Sequence, residues 1–197
     1  MFRRCILVIA AAALAALGAQ AQAANPRVQF DTTAGRIVIE LYPEAAPKTV
    51  ENFLNYVKAK QYDGTQFHRV IQGFMIQGGG FDTDFRQKPT RAPIPNEAEQ
   101  SSKAGLLNVP GSVAMARTSD PDSATAQFFI NVNDNKPLNF REATRTGYGY
   151  TVFGKVVEGM DVVSKIAATK TGPGGPFPTD VPLERVVIKQ ATVVGAP

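Results

Sequence analysis

The feature that most limits what this chain can fold into is the shortness of its apolar runs. Eight extended segments, over residues 28–32, 36–42, 67–71, 74–77, 112–116, 127–132, 150–157 and 183–194, are rich in β-branched and aromatic residues. Gly, Pro, Asp and Asn punctuate the intervals between them. The first two read as a hairpin turned by Thr33-Ala34-Gly35, and Ile37, Ile39 and Leu41 share one face of its second strand. Only two stretches carry a helical period. Behind Pro47, the residues Val50, Phe53, Leu54 and Val57 recur at helical spacing, and residues 158–168 place Met160, Val163 and Ala167 on one side. Residues 82–96, 133–149 and 169–182 read as loops, and residues 96–111 show no convincing period. Many short strands with two helices predict one mainly β domain, an antiparallel closed barrel with helices over its ends.

The first 23 residues stand apart from that domain. Arg3 and Arg4 precede an apolar, alanine-rich run over residues 5–19, and Ala21-Gln22-Ala23 offers small residues where a signal peptidase reads. A signal peptide over residues 1–23 and a single domain over residues 24–197 are expected. An uncleaved anchor would need about 20 strongly apolar residues, more than this run holds. The mature chain is then exported, to the periplasm or by full secretion, with no membrane association after cleavage. Its lone cysteine, Cys5, leaves with the leader, which excludes a disulfide framework or a thiolate metal site. Without Arg3 and Arg4, 19 basic residues face 17 acidic ones, and a net +2 is no footprint for nucleic acid.

One stretch concentrates the chemistry: Phe67-His68-Arg69-Val70-Ile71-Gln72-Gly73-Phe74-Met75-Ile76-Gln77-Gly78-Gly79-Gly80. It reads as two short strands joined at Gly73. A guanidinium and an amide among apolar strand residues are costly to bury unpaired, so they are expected to line a cleft. On the residues alone, Arg69 reads equally well as a member of a surface ion pair. His68 is the only histidine, so a Ser-His-Asp hydrolase would have to use it. Strand alternation turns it from the face of Arg69, and no strained nucleophile turn is evident, which favours an orienting or structural role. No lysine-bearing helix succeeds the three glycines, so they read as a strand exit and not as a phosphate cradle.

Together with three segments further along the chain, this stretch resembles the cyclophilins, the cyclosporin-binding class of peptidyl-prolyl cis-trans isomerases. The match is carried by Phe67-His68-Arg69-Val70-Ile71 and Gly73-Phe74-Met75-Ile76-Gln77-Gly78-Gly79. It continues in Gly111-Ser112-Val113-Ala114-Met115-Ala116 with Ala126-Gln127-Phe128-Phe129-Ile130, and in Val152-Phe153-Gly154-Lys155-Val156 with Gly159-Met160-Asp161-Val162-Val163. The helix Pro47-Lys48-Thr49-Val50-Glu51-Asn52-Phe53 also fits. The bacterial style of the leader, and Ala116-Arg117-Thr118 in place of an asparagine-containing version, make the chain similar to exported bacterial members.

The resemblance implies an eight-stranded antiparallel closed β-barrel capped by two α-helices, and an isomerase of X–Pro bonds that needs no cofactor and no metal. Its partners would be proline-containing polypeptides, among them unfolded exported proteins. Residue by residue it implies Arg69 as the catalytic group, with Phe74, Met75, Phe129 and Leu138 as walls of a proline pocket. Gln77 would touch the substrate backbone, the backbone of Ala116 and Arg117 would receive the residue before proline, and Gln127 would be a further groove residue. Phe128 and Phe129 alternate faces, and only the resemblance assigns Phe129 to the pocket. Two positions depart from the pattern. Pro137 stands before Leu138 where many relatives have tryptophan, and Tyr150 stands where they have histidine. The missing tryptophan implies weak cyclosporin binding. The rival reading is an exported binding module or chaperone that holds proline-containing segments without turnover; a hydrolase is more distant.

Overall fold

The computed structural model describes residues 24–195; the signal-peptide expectation over residues 1–23 lies outside them. The chain opens with the antiparallel hairpin β1 (Arg27–Thr32) and β2 (Arg36–Leu41). Its turn is held by Thr32, whose Oγ1 accepts the N–H groups of Ala34 and Gly35 at 3.1 Å each. Helix α1 (Pro47–Lys58) starts on its proline and buries Val50, Phe53, Tyr56 and Val57. After it come β3 (Thr65–Gln66), β4 (Arg69–Ile71), β5 (Met75–Gly78) and a short helix, α2 (Ala98–Lys103). Next are β6 (Ser112–Met115), β7 (Phe128–Asn131), a 3-10 turn (Lys136–Leu138), β8 (Val152–Glu158) and α3 (Met160–Ala167). The chain closes with β9 (Thr171–Gly174), β10 (Phe177–Pro182) and β11 (Val187–Val194).

Nine strands form one antiparallel sheet in the order β3-β11-β1-β2-β8-β6-β7-β5-β4. Its two end strands are consecutive in the chain, separated only by Phe67 and His68. The Phe67 N–H donates to the carbonyl of Val186 at 2.9 Å, which carries the pairing of β3 with β11 into this linking segment. The curled sheet meets itself at this seam of chain and has nine strands, where the resemblance implies an eight-stranded closed barrel. Of the residues that read as one strand over 67–71, only Arg69–Ile71 are strand, and Phe67 and His68 form the seam.

Two further expectations need correction. Residues 169–182 are not loop alone, since β9 and β10 pair as a separate two-stranded ribbon. Among the described residues three α-helices are present instead of two, because α2 forms within residues 96–111. It buries only Ala98 and Ser101, too few positions to show a period. Its entry residue, Glu97, holds it in place: the carboxylate accepts the N–H of Lys48 at 3.1 Å and of Thr49 at 2.8 Å. That caps the first turn of α1 with a negative charge, where the helix dipole favours one.

The interior is filled by side chains. Phe30 stacks on Phe128 at 5.3 Å, and Phe53, Tyr62 and Phe67 meet the same group edge-on or tilted. Val50, Phe53, Tyr56 and Val57 of α1 and Val163 and Ile166 of α3 belong to this one cluster. Truncating one of these phenylalanines costs about 3–5 kcal/mol in comparable cores. A packed interior leaves no room for a ligand, so any binding site lies on the outside of the sheet. Among the described residues, no helix is long and apolar enough to cross a membrane.

Candidate active site

Strand pairing sorts the residues of β4, β5, β7 and β6 into two rows. Val70, Ile76, Ile130 and Val113 stand opposite one another across the four strands and all enter the main core. One residue along, Arg69, Gln77, Phe129 and Ala114 form the next row, on the other face. Phe129 and Ala114 pack there with Met75 and Val152 as a second, small apolar cluster, joined by Phe74, Leu138 and Tyr150. The same alternation places Phe128 in the core and Phe129 outside it.

This outer face carries a cavity of about 170 Å³ lined by Arg69, Phe74, Met75, Gln77, Ala116, Arg117, Phe129, Leu138 and Tyr150. Nine of the ten residues singled out from the sequence meet there. The tenth, Gln127, stands beside it, with Oε1 accepting a 2.9 Å hydrogen bond from the Gln77 amide. It lines a neighbouring hollow with Gln77, Ala116 and Arg117.

Local structure explains how the walls are set. Gly73, at φ +71°, lets the chain turn tightly between β4 and β5, and the Phe74 N–H closes the turn on the Ile71 carbonyl at 3.1 Å. The Phe74 carbonyl then accepts the Val132 N–H at 3.0 Å and the Asn135 side chain at 2.9 Å. Leu138 arrives on the 3-10 turn, and its carbonyl accepts from the Tyr150 N–H at 2.9 Å and from Asn108 at 3.1 Å. Asn131 links Asn108, Ser112 and Asn135 behind this wall. Sequence reasoning misses these asparagines, because their isolated positions carry no pattern. Tyr150 meets Phe129 edge-on at 5.6 Å, and the Arg117 guanidinium lies 4.6 Å above the Tyr150 ring. Pro137 is exposed and lines an adjoining hollow instead of the cavity itself.

Arg69 is the cation at the mouth of the cavity, with its side chain 46% exposed. Its Nε lies 3.8 Å from Asp180 Oδ2. Both readings of this arginine from the sequence thus have a physical basis, since it faces the cavity and has an acidic neighbour. Asp180 sits on β10 at φ +67°, a left-handed conformation that Asp tolerates better than most residues. The sequence does not reveal it, because residues 169–182 read as loop.

His68 does not line the cavity. Its ring lies 4.7 Å from Phe81 and 5.3 Å from Phe177, and only 2% of the residue is exposed. Burial lowers its pKa from 6.5 to about 4; a backbone hydrogen bond with Gln66 opposes that shift, and the nearby Arg69 charge adds to it. Among the described residues no group lies within good hydrogen-bond geometry of its Nδ1. Arg69 lines the cavity and His68 does not, although the strand breaks at residues 67–68 and β10 touches both side chains. The cavity wall offers neither a serine nor a cysteine, and its two cationic groups, Arg69 and Arg117, are permanent donors. Such a wall suits binding and electrostatic stabilisation of a polarised group, not nucleophilic attack.

Comparison with known proteins agrees with that geometry. Residues 27–193 match the family described as cyclophilin type peptidyl-prolyl cis-trans isomerase/CLD. The chain is 58% identical over 168 residues to the peptidyl-prolyl cis-trans isomerase cyp18 of Streptomyces antibioticus, covering 85% of this chain and 98% of that one. It is 54% identical over 166 residues to peptidyl-prolyl cis-trans isomerase B of Escherichia coli (strain K12), covering 84% and 98%. The fold matches the crystal structure of a cyclophilin type isomerase from Cryptosporidium parvum with a TM-score of 0.66 at 23% identity, over 88% of this chain and 99% of that chain.

Proposed function

The chain belongs to the cyclophilin-type peptidyl-prolyl cis-trans isomerase family, and from that membership we propose how its outer cavity catalyses the reaction. The family acts on proline-containing peptides, and this chain is an isomerase of that kind. The barrier to rotation about a peptide bond is about 18–20 kcal/mol, because resonance gives the C–N bond partial double-bond character. At X–Pro both isomers lie within about 1 kcal/mol, so the exchange is balanced but slow. No bond is broken and no nucleophile is required.

In the twisted state the prolyl nitrogen becomes pyramidal and regains its lone pair. Arg69 donates to that nitrogen, while the proline ring rests on Phe74, Met75, Phe129 and Leu138. The guanidinium stays protonated at working pH, and its donors are fixed in a plane. Asp180, beside Nε, restrains the group and leaves the Nη donors for substrate. A 10⁵-fold acceleration needs about 7 kcal/mol, since each factor of ten takes about 1.4 kcal/mol. One hydrogen bond to a charged group contributes about 1.5–3 kcal/mol. The remainder comes from the apolar surroundings and from holding the flanking backbone, which Gln77, Gln127 and the Ala116-Arg117 main chain do.

The observation that carries this mechanism is the meeting of the Arg69 guanidinium, in the outer row beside Gln77 and Phe129, with the apolar wall of the cavity. Arg69→Lys tests it, because lysine keeps the charge and loses the planar fork. We expect at least a tenfold fall in kcat on a proline tetrapeptide with little change in KM. An unaltered kcat would show that a point charge is enough.

The physiological setting we infer is the periplasm, where the enzyme speeds folding of unfolded exported proteins after removal of residues 1–23. The support is the leader-like sequence. Cell fractionation with N-terminal sequencing tests it; a cytoplasmic protein that still begins at Met1 would contradict it.

A further inference from the structure

A second hollow adjoins the proline cavity and has no part in the isomerisation mechanism. It measures about 460 Å³, and its wall includes Arg117, Thr118, Ser119, Pro137, Arg145 and Tyr150. Arg117 and Tyr150 border both spaces, so a chain leaving the proline cavity on that side enters this hollow directly. Both positions that depart from the family pattern, Pro137 and Tyr150, lie on its wall.

Its charge is one-sided. Arg117 donates from Nε to the Gly149 carbonyl at 2.9 Å and from Nη1 to the Thr118 carbonyl at 2.9 Å. Arg145 donates to the Ser119 carbonyl at 3.3 Å and to Ser119 Oγ at 3.0 Å. Arg141, on the same loop, donates to the Thr146 carbonyl at 3.4 Å. These acceptors are neutral, so they fix the side chains without cancelling their charge. Among the described residues, none of the three arginines forms an ion pair. The acids on the adjoining turns, Asp120 and Glu142, keep their charge, but neither lines the hollow, whose charged wall residues are Arg117 and Arg145 alone. Two anchored, uncompensated guanidinium groups facing one hollow form a preorganised anion site, and a planar fork suits a carboxylate.

We propose that this hollow is a specificity subsite for an acidic side chain, Asp or Glu, of the substrate polypeptide, within about three residues of the isomerised proline. The proposal rests on the isomerase reading of the adjoining cavity. An extended residue spans about 3.3–3.6 Å, so two or three residues carry a side chain from one hollow to its neighbour. Arg117 and Arg145 then discriminate among X–Pro sites that the proline cavity alone treats alike. The site is open to solvent, so the gain is modest and falls with salt.

The test is a peptide series with one proline and a single Glu or Gln at each of the three positions on either side. Its readout is kcat/KM from NMR exchange, which needs no coupled protease. In at least one register the Glu peptide should exceed the Gln peptide about fivefold, and 0.5 M salt should erase most of that advantage. Arg145→Gln should abolish the preference while turnover of the neutral peptides stays unchanged, which also shows that the variant folds. Lys189→Gln changes the net charge equally at an exposed position on β11 and should leave the preference intact. A Glu-to-Gln ratio within twofold of one in every register overturns the subsite, as does a preference that survives Arg145→Gln or vanishes equally in Lys189→Gln. Absent turnover on every peptide would strike the isomerase reading instead, and the same ratios would then be read from dissociation constants.

Discussion

The Gln77 side-chain amide donates a 2.9 Å hydrogen bond to Gln127 Oε1, joining β5 to the residue just before β7. Gly80 leaves room for this pair: a Cβ added there would lie 2.6 Å from the Gln127 side chain. Gln77 also stands between Arg69 and Phe129 in the outer row. Because the two amides act as one unit, Gln77→Ala and Gln127→Ala should each lower kcat/KM by about five- to tenfold. The double variant should be little worse than the poorer single one. Fully additive losses in this double-mutant cycle would show that the two amides act independently.

Asp180 Oδ2 lies 3.8 Å from Arg69 Nε without lining the cavity. Asp180→Asn keeps a residue that tolerates the left-handed backbone and removes only the charge. The pair is exposed, so its effect on stability should be small. Its effect on catalysis should appear as a threefold to tenfold fall in kcat at nearly constant KM. An unchanged kcat would demote Asp180 to an ordinary surface acid.

His68 gives the fold a defined sensitivity to acid. In the folded state it stays neutral down to about pH 4, whereas the unfolded imidazole binds its proton near pH 6.5. Between those values the unfolded state holds more protons, so stability is fully present above pH 6.5 and declines as pH falls toward 4. The loss attributable to this group is about 3 kcal/mol, from the size of the shift. Urea unfolding across this range should show a steeper decline for the wild type than for His68→Phe. Parallel curves would contradict a buried neutral imidazole.

How much of the molecule is legible in its sequence depends on pattern length. The row of Arg69, Gln77 and Phe129 is reachable because strands of three or four residues alternate strictly, and because motif resemblance fixes which face matters. The ribbon of β9 and β10 is not, since Thr-Gly-Pro-Gly and Phe-Pro-Thr-Asp-Val-Pro have weak strand propensity and no alternation. Asp180 is hidden with it. Arg145 lies in a loop with no periodicity, and only the fold brings it beside Arg117. Three-dimensional neighbours drawn from loops have no signature in a linear pattern.

Cyclosporin binding should be weak. Pro137 cannot offer the indole surface that many relatives present before this leucine, and it is turned to the second hollow. Calorimetric titration should give a dissociation constant in the micromolar range or weaker; a nanomolar value would mean that other walls of the site supply the grip.

The proposed mechanism turns on Arg69 stabilising the twisted state. The direct measurement is kcat/KM of Arg69→Ala on a proline tetrapeptide, with circular dichroism and thermal unfolding recorded on the same sample. A loss of one hundredfold or more in a protein that melts with the wild type is the predicted result. Turnover within about threefold of wild type, in an equally folded variant, would contradict the mechanism.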